Sequence, residues 1–477
     1  MAGSLSILIL LGLLVPLWVL LRRDFIKGLC YGVFLCVSMP TYLRIPLPGS
    51  LPQLTIYRLI LISVLCFWFR YRDPAQTVSK APLFGTFCFW AIANLLSLFF
   101  TTGDFVVGLK RYLDFVIEAA VFFFLLVASL RTRDDAMRVL RAACLGLALV
   151  AALAFIEKYT HFNPCNYLLS NAAADPGDEY HAGSGDICAT YQHRILLGTG
   201  MTMGWPLVVA LLQTAGDRPR RRMWLWLSLL LLFAGCYFSQ SRGPWLAAAL
   251  AGGVLVLMAG TAIRRKLAVP LVLALVLLVA RPGVLGSLVM SAQVTTETDS
   301  FKGGTFRYRL ELWQVAWSEI SRSPIRLLFG CGPGCGTTSV VDWNLSYRGG
   351  REEQIWSWDN QLAYDLYQSG VVGFAGSLAL YGGILLMGYR SWREGGPDER
   401  GVRACLLAGL LAYAFMLTNV LMFTKPLNFL FWTIAAISYA LGRHPQSQET
   451  GVLEVPHFVE TEPLSFEPQV SHSLSQS

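Results

Sequence analysis

A chain of 477 residues that is 55% hydrophobic and only 14% charged is not an ordinary soluble protein, because soluble chains carry roughly a quarter charged residues. Its formal net charge of +8 does not point to nucleic acid. Lys and Arg fall in short clusters between apolar runs, the distribution that orients membrane helices.

A helix crossing ~30 Å of hydrocarbon needs about 20 mostly apolar residues. In chain order the expected spans are 4–21, 28–43, 55–70, 82–101, 113–130, 138–156, 195–213, 223–239, 243–261, 266–281, 361–389, 403–422 and 427–441. The first lacks the basic leader and cleavage site of a signal peptide, so it is expected to stay as an anchor. The chain thus reads as an all-α polytopic membrane protein with about 12–13 transmembrane helices. Residues 1–281 hold the first ten, with an outer loop at 157–194. Residues 282–360 form a large loop with short helices, 361–442 the last three spans, and 443–477 a polar, acidic tail expected to be disordered.

Every odd connection is basic: Arg22, Arg23 and Lys27; Arg70, Arg72 and Lys80; Arg131, Arg133, Arg138 and Arg141. The series continues with Arg218 and Arg220 to Arg222, with Arg264, Arg265 and Lys266, and with Arg390, Arg393, Arg400 and Arg403. These connections are expected to face the cytoplasm. The two long polar stretches then lie outside it, the N-terminus outside and the C-terminus inside. Most of the eleven Cys sit in apolar runs as small hydrophobes. Cys165, Cys188, Cys331 and Cys335 fall in the outer loops, where disulfides are permitted. His161, His181 and His193 make no metal-ligand pattern, so no metal and no cofactor are expected.

Ionisable groups near membrane depth are costly and mark functional sites. Four segments on the outer side carry them. In Ser239-Gln240-Ser241-Arg242-Gly243-Pro244-Trp245, a guanidinium at a helix end suits bidentate phosphate binding; a snorkelling interfacial Arg is the alternative. The run from Phe306 to Trp317 reads as an amphipathic helix with Leu310, Trp313 and Trp317 along one face, and Arg309 shares a face with Trp313. A helix lying against water or lipid headgroups is the alternative there. Gly330, Gly332 and Gly334 supply a pliable turn, but the Lys-Ser/Thr of a phosphate-binding loop is missing. Trp358-Asp359-Asn360 opens the eleventh span. Asp359 is either a helix cap or a carboxylate able to take a proton from an acceptor hydroxyl. His193-Arg194 adds a basic pair before the seventh span, while Asp104, Lys110, Arg111 and Lys425 are outer charges of unassigned role.

Together these segments resemble the O-antigen ligase and O-antigen polymerase superfamily of bacterial envelope glycan assembly. The resemblance lies in Ser241-Arg242-Gly243-x-Trp245, in Arg309-x3-Trp313, in Gly330-x-Gly332-x-Gly334, and in Asp359-Asn360 followed by Gly370-x-x-Gly373. It covers mainly residues 190–380. It implies a metal-independent, inverting membrane glycosyltransferase of the GT-C type in the bacterial inner membrane, with its site facing the periplasm. The implied donor is a glycan on undecaprenyl pyrophosphate, and the implied acceptor a glycan or a lipid. The resemblance assigns Arg242 and Arg309 to the pyrophosphate, with Arg307 and Arg194 as further candidates. It makes Asp359 the general base, oriented by Asn360, and adds Trp313, Gly332 and Gly334 as substrate contacts. Ligases of this group typically carry His where this chain has Asp359, which tilts the expectation toward a polymerase. A transporter of lipid-linked sugars is the non-catalytic alternative; it would show repeated halves and midplane charges.

Overall fold

The computed structural model describes residues 2–45, 54–72, 81–165, 186–191, 193–258, 301–335, 340–342, 352–354, 358–422 and 425–443, with isolated positions between 260 and 268. Almost all of it is helical. The helices are α1 (Ala2–Arg23), α2 (Phe25–Ser38), α3 (Ile56–Tyr71), α4 (Phe84–Phe99), α5 (Phe105–Phe115), α6 (Phe122–Ser129), α7 (Arg133–Thr160), α8 (Arg194–Gln213), α9 (Pro219–Phe238) and α10 (Arg242–Met258). After them come α11 (Phe301–Ile320), α12 (Pro324–Phe329), α13 (Gln361–Glu394), α14 (Pro397–Met416) and α15 (Lys425–Arg443). A π-helical turn, Val116–Val121, joins α5 to α6. Two short antiparallel pairs complete the described residues, Arg44–Ile45 with Leu54–Thr55 and Val340–Asp342 with Glu352–Gln354.

Helices correspond to every expected span except 266–281, which lies outside the described residues, as does the expected tail at 443–477 beyond Arg443. Among the described residues, five stretches are long and apolar enough to cross a membrane: Ser6–Arg23, Phe105–Ser129, Arg133–Thr160, Arg194–Gln213 and Gln361–Glu394. This is a multi-pass membrane protein. The ends of its helices are set by local chemistry. Asp24, Thr55 and Asp104 accept backbone N–H bonds at the starts of α2, α3 and α5, and Thr132 and Asp135 form a reciprocal capping box at α7. Pro397 in the first turn starts α14 earlier than its apolar run suggests.

Burial sorts the helices into a centre and a rim. The apolar window of α8 is 94% buried, and α15 is buried on all sides from Leu427 to Leu441. A helix that is apolar all round belongs inside. By contrast, Leu8, Leu11 and Val15 of α1 and Leu145 and Ile156 of α7 are exposed, as lipid-facing positions are. Each of these helices turns its other face inward, with Leu10, Leu14 and Leu17 of α1 and Ala143, Leu147 and Val150 of α7 in the core.

The basic connections meet at one end of the bundle. Phe25 stacks on Tyr71, and Arg131 donates to the Tyr71 carbonyl. Arg133 pairs with Glu399 at 2.9 Å. Arg403, which the sequence places among exposed loop charges, is instead almost fully buried. It pairs with Glu399 and donates to the carbonyls of Ser391 (2.7 Å) and Leu441 (2.6 Å). A buried guanidinium needs such partners, because an unpaired one is prohibitive in a low dielectric. The opposite end gathers residues 101–108, 239–243, 309–335, 358–370 and 417–422, and there the candidate site lies.

Candidate active site

Four elements place the site residues. The turn Ser239–Ser241 ends α9 and feeds directly into α10, so Arg242 is the first residue of a helix. Trp245 Nε1 donates to the Cys236 carbonyl at 3.0 Å, and Thr202 of α8 donates to the Pro244 carbonyl at 3.0 Å. Gly243 lets this turn approach α14: a Cβ there would sit 3.3 Å from Met416 and 3.7 Å from Asn419.

Arg309 comes from α11. Its neighbours at helical spacing, Leu312, Ala316 and Ile320, are fully buried against Tyr364, Tyr367 and Trp358. This is not the face that carries Leu310, Trp313 and Trp317. Leu310 and Trp317 are exposed, and only Trp313 of the three turns inward, edge-on to Phe374 at 6.0 Å. The stripe that buries is the one carrying Arg309, packed against α13. Arg309 Nε donates to the Asn419 carbonyl at 2.9 Å, and Nη2 meets Asp359 Oδ2 at 3.4 Å. Arg242 lies close enough for the two guanidinium charges to act on each other. Arg309 thus meets Asp359, and the turn that carries Arg242 packs beside Asn419, whose carbonyl Arg309 holds.

Asp359 is not the helix cap. Asn360 holds that position: its side-chain oxygen accepts from Ala363 N at 3.1 Å, and the residue is buried. Asn360 thus caps α13 through its side-chain oxygen. Asp359 is left facing Arg309, with side chains 29% and 19% exposed respectively, so both are reachable from solvent.

Gly332 and Gly334, expected to touch substrate, are buried in a clamp. Gly330, Gly332 and Gly334 all have positive φ (74°, 90° and 89°), a region open to Gly and strained for other residues. A Cβ on Gly332 would overlap Thr101, and one on Gly330 would overlap the backbone at Gln368 and Gly370. Cys331 N donates to Tyr367 O (2.9 Å), Gly332 N to Gln368 O (2.8 Å), and Thr102 N to Cys331 O (2.8 Å). Gly370, at φ 63° and ψ −167°, breaks α13 into two pieces there. The turn therefore ties the α4–α5 corner to the α13 kink. Cys331 and Cys335 lie beside each other within it. Burial, with Cys331 adjacent, pushes the Cys335 thiol well above its ordinary range.

Arg194 starts α8 at this same end, since Gly198, one turn further in, rests against Ser239 and Pro244. Its guanidinium pairs with Asp186 at 3.1 Å. Arg307 lies on α11, with its side chain outside the described residues.

Three participants carry no strong signal in the sequence. Arg111 of α5 donates to Tyr364 Oη at 3.0 Å, which brings a further cation to the α13 start. Gln361 donates to Asp365 Oδ1 (2.7 Å) and accepts from Met422 N (2.9 Å). It thereby fixes the 417–422 turn that carries the Asn419 carbonyl. Asp365, an acid inside an apolar run, is the one of these that intramembrane charge alone marks.

Residues 227–378 match the O-antigen ligase family. The match supports a place in the O-antigen ligase/polymerase superfamily, and the matched stretch holds Arg242, Arg309, the glycine clamp and Asp359. For the O-antigen ligase family the substrates are of one broad kind, a lipid-linked glycan and an acceptor in the membrane. No curated protein matches the chain.

Proposed function

We propose that the protein is a glycosyltransferase that transfers or polymerises glycan carried on undecaprenyl pyrophosphate, at the periplasmic face of the bacterial inner membrane. The observation that carries the reading is the meeting of Arg309 and Asp359 at one end of the bundle, beside the turn that carries Arg242. In this scheme the acceptor hydroxyl oxygen attacks the anomeric carbon, and the bond from that carbon to the pyrophosphate breaks. The electron pair leaves with the pyrophosphate, where two fixed guanidinium groups stabilise the developing charge without a metal. The hydroxyl proton passes to Asp359, and attack opposite the leaving group inverts the centre.

The ion pair between Arg309 and Asp359 has a consequence for order. A pyrophosphate oxygen competes with the Asp359 carboxylate for Nη2 of Arg309, because a guanidinium fork serves phosphate at least as well. Donor binding therefore releases the base to the acceptor. Arg194 and Arg307 are candidates for the same anion, and Arg111 joins them through Tyr364. Gly332 and Gly334 act by holding the corner rather than by touching sugar, and Trp313 supports α11.

Asp359 in place of His favours polymerisation. A ligase reading is favoured instead by the family description that matches residues 227–378. Deleting the gene and resolving surface glycans on a gel separates the two. Loss of long chains with a single repeat retained indicates a polymerase. Accumulated long lipid-linked chains with none attached to an acceptor indicate a ligase, and surface glycan unchanged in length and amount would sink both.

A further inference from the structure

The side of α11 and α12 that turns away from the core carries large apolar side chains, with Gln314 and Ser318 as the exposed polar residues among them. Trp317 is 55% exposed, Ile325 53% and Leu328 47%, and Leu310, about two turns before Trp317, extends the same side of α11. This surface is continuous with a lipid-facing helix. On α4, an uncharged helix, Ile92, Leu96 and Phe99 are exposed in sequence at helical spacing, with Phe99 at 67%. Where α4 ends, Phe100 stacks on Phe329 of α12 at 5.1 Å between ring centroids. The apolar stripe thus passes from α4 onto α12 without interruption. A charged border follows it: Arg322 pairs with Glu319 at 2.7 Å and remains 63% exposed. An exposed Trp beside an apolar step, edged by long cations, is the composition of a membrane–water boundary.

We infer that α12 and the outward side of α11 form a ledge immersed in the interfacial layer of the bilayer leaflet on the site's side. The occupant of the patch is lipid, because the stripe it continues belongs to a membrane-crossing bundle. The lower edge of the candidate site then sits at the headgroup level, and Arg309, about a quarter turn round α11 from Leu310 and Trp317, borders it. A substrate anchored in that leaflet reaches Arg309 by lateral diffusion, without leaving the membrane. The ledge lies in lipid whichever glycan reaction the site performs.

The test uses the full chain in phosphatidylcholine nanodiscs, with Cys66→Ser to remove the exposed native thiol. An environment-sensitive NBD label is attached at Ile325→Cys, Leu328→Cys or Trp317→Cys. Ile92→Cys serves as the lipid reference and Asp398→Cys as the water reference. Immersion predicts strong quenching by lipid doxyl-labelled at carbon 5, and iodide quenching at least about threefold weaker than at position 398, as for groups buried ~5–10 Å into the interface. Iodide quenching equal to that at position 398 overturns the inference. So does protection from both quenchers, which marks a protein partner instead. All labelled positions are exposed, so the fold is expected to survive, and three independent positions guard against the failure of one variant.

Discussion

At the scale of single residues, the distinction between a helix cap and a base decides what Asp359 does. Asn360 makes the capping bond, so Asp359→Asn is expected to leave melting temperature almost unchanged. If Asp359 is the base, turnover falls by ~10²–10⁴ while donor binding persists. Near-normal turnover would send the search for a base elsewhere in the same loop. Asn360→Ala should do the reverse, lowering stability by about 1 kcal/mol through the lost cap, which thermal denaturation in detergent measures. Arg309→Lys keeps a charge but loses the fork that spans Asp359 and the Asn419 carbonyl. Its expected signature is weaker donor binding with the protein still folded, read by titration with a lipid pyrophosphate. The sequence pointed to Arg242, Arg309 and Asp359 because charged side chains near membrane depth stand out. It did not show Asn419, whose contribution is a backbone carbonyl that any residue supplies. Nor did it rank Arg111, one of several outer cations until α5 is folded against Tyr364.

Between residues and the whole lie the turns and helix faces. The glycine clamp joins three elements by backbone alone, so its weak point is any added side chain. Gly332→Ala combines a strained φ with overlap on Thr101, and is expected to cost ~1–3 kcal/mol for the strain alone. Gly252→Ala, in a helix with nothing near the new methyl, is expected to be neutral or stabilising by roughly 0.5–1 kcal/mol. Differential scanning fluorimetry on the two variants checks the contrast; equal melting temperatures would mean the clamp is dispensable. Alternating Gly announced a turn in the sequence, yet not whether it faced a substrate or another helix. That depends on Thr101 and Gly370, which lie far from it along the chain. On α11 the sequence grouped Leu310, Trp313 and Trp317 on one face and left open what covers it. Large apolar side chains suggest burial, but at a membrane boundary Leu310 and Trp317 need no protein cover, and the small Ala316 marks where α13 comes close.

For the molecule as a whole, apolar runs and basic connections made the architecture readable, since both are written locally and repeat. The buried Arg403 is the exception, because its charge serves the interior. Removing one partner of a buried pair costs ~3–5 kcal/mol, so Arg403→Ala is expected to destabilise the end of the bundle remote from the site; limited proteolysis there should accelerate. Compartment reporters test the orientation. One fused at 218–222 should be active in the cytoplasm and one within 282–360 outside it, and identical readings from both would refute the alternation.

The central position of α15 has a consequence for biogenesis. The ribosome releases this helix after every other described one, yet it fills the middle of the bundle, beside α2, α6, α7 and α14. Until it is made, the earlier spans lack the buried side chains of Trp432 and Phe429 to pack against. A chaperone-like holding step, or slow lateral closure, is built into such an order. A stop codon just ahead of Lys425 would remove the keystone rather than an appendage, leaving the quality-control proteases of the membrane a bundle that never closed.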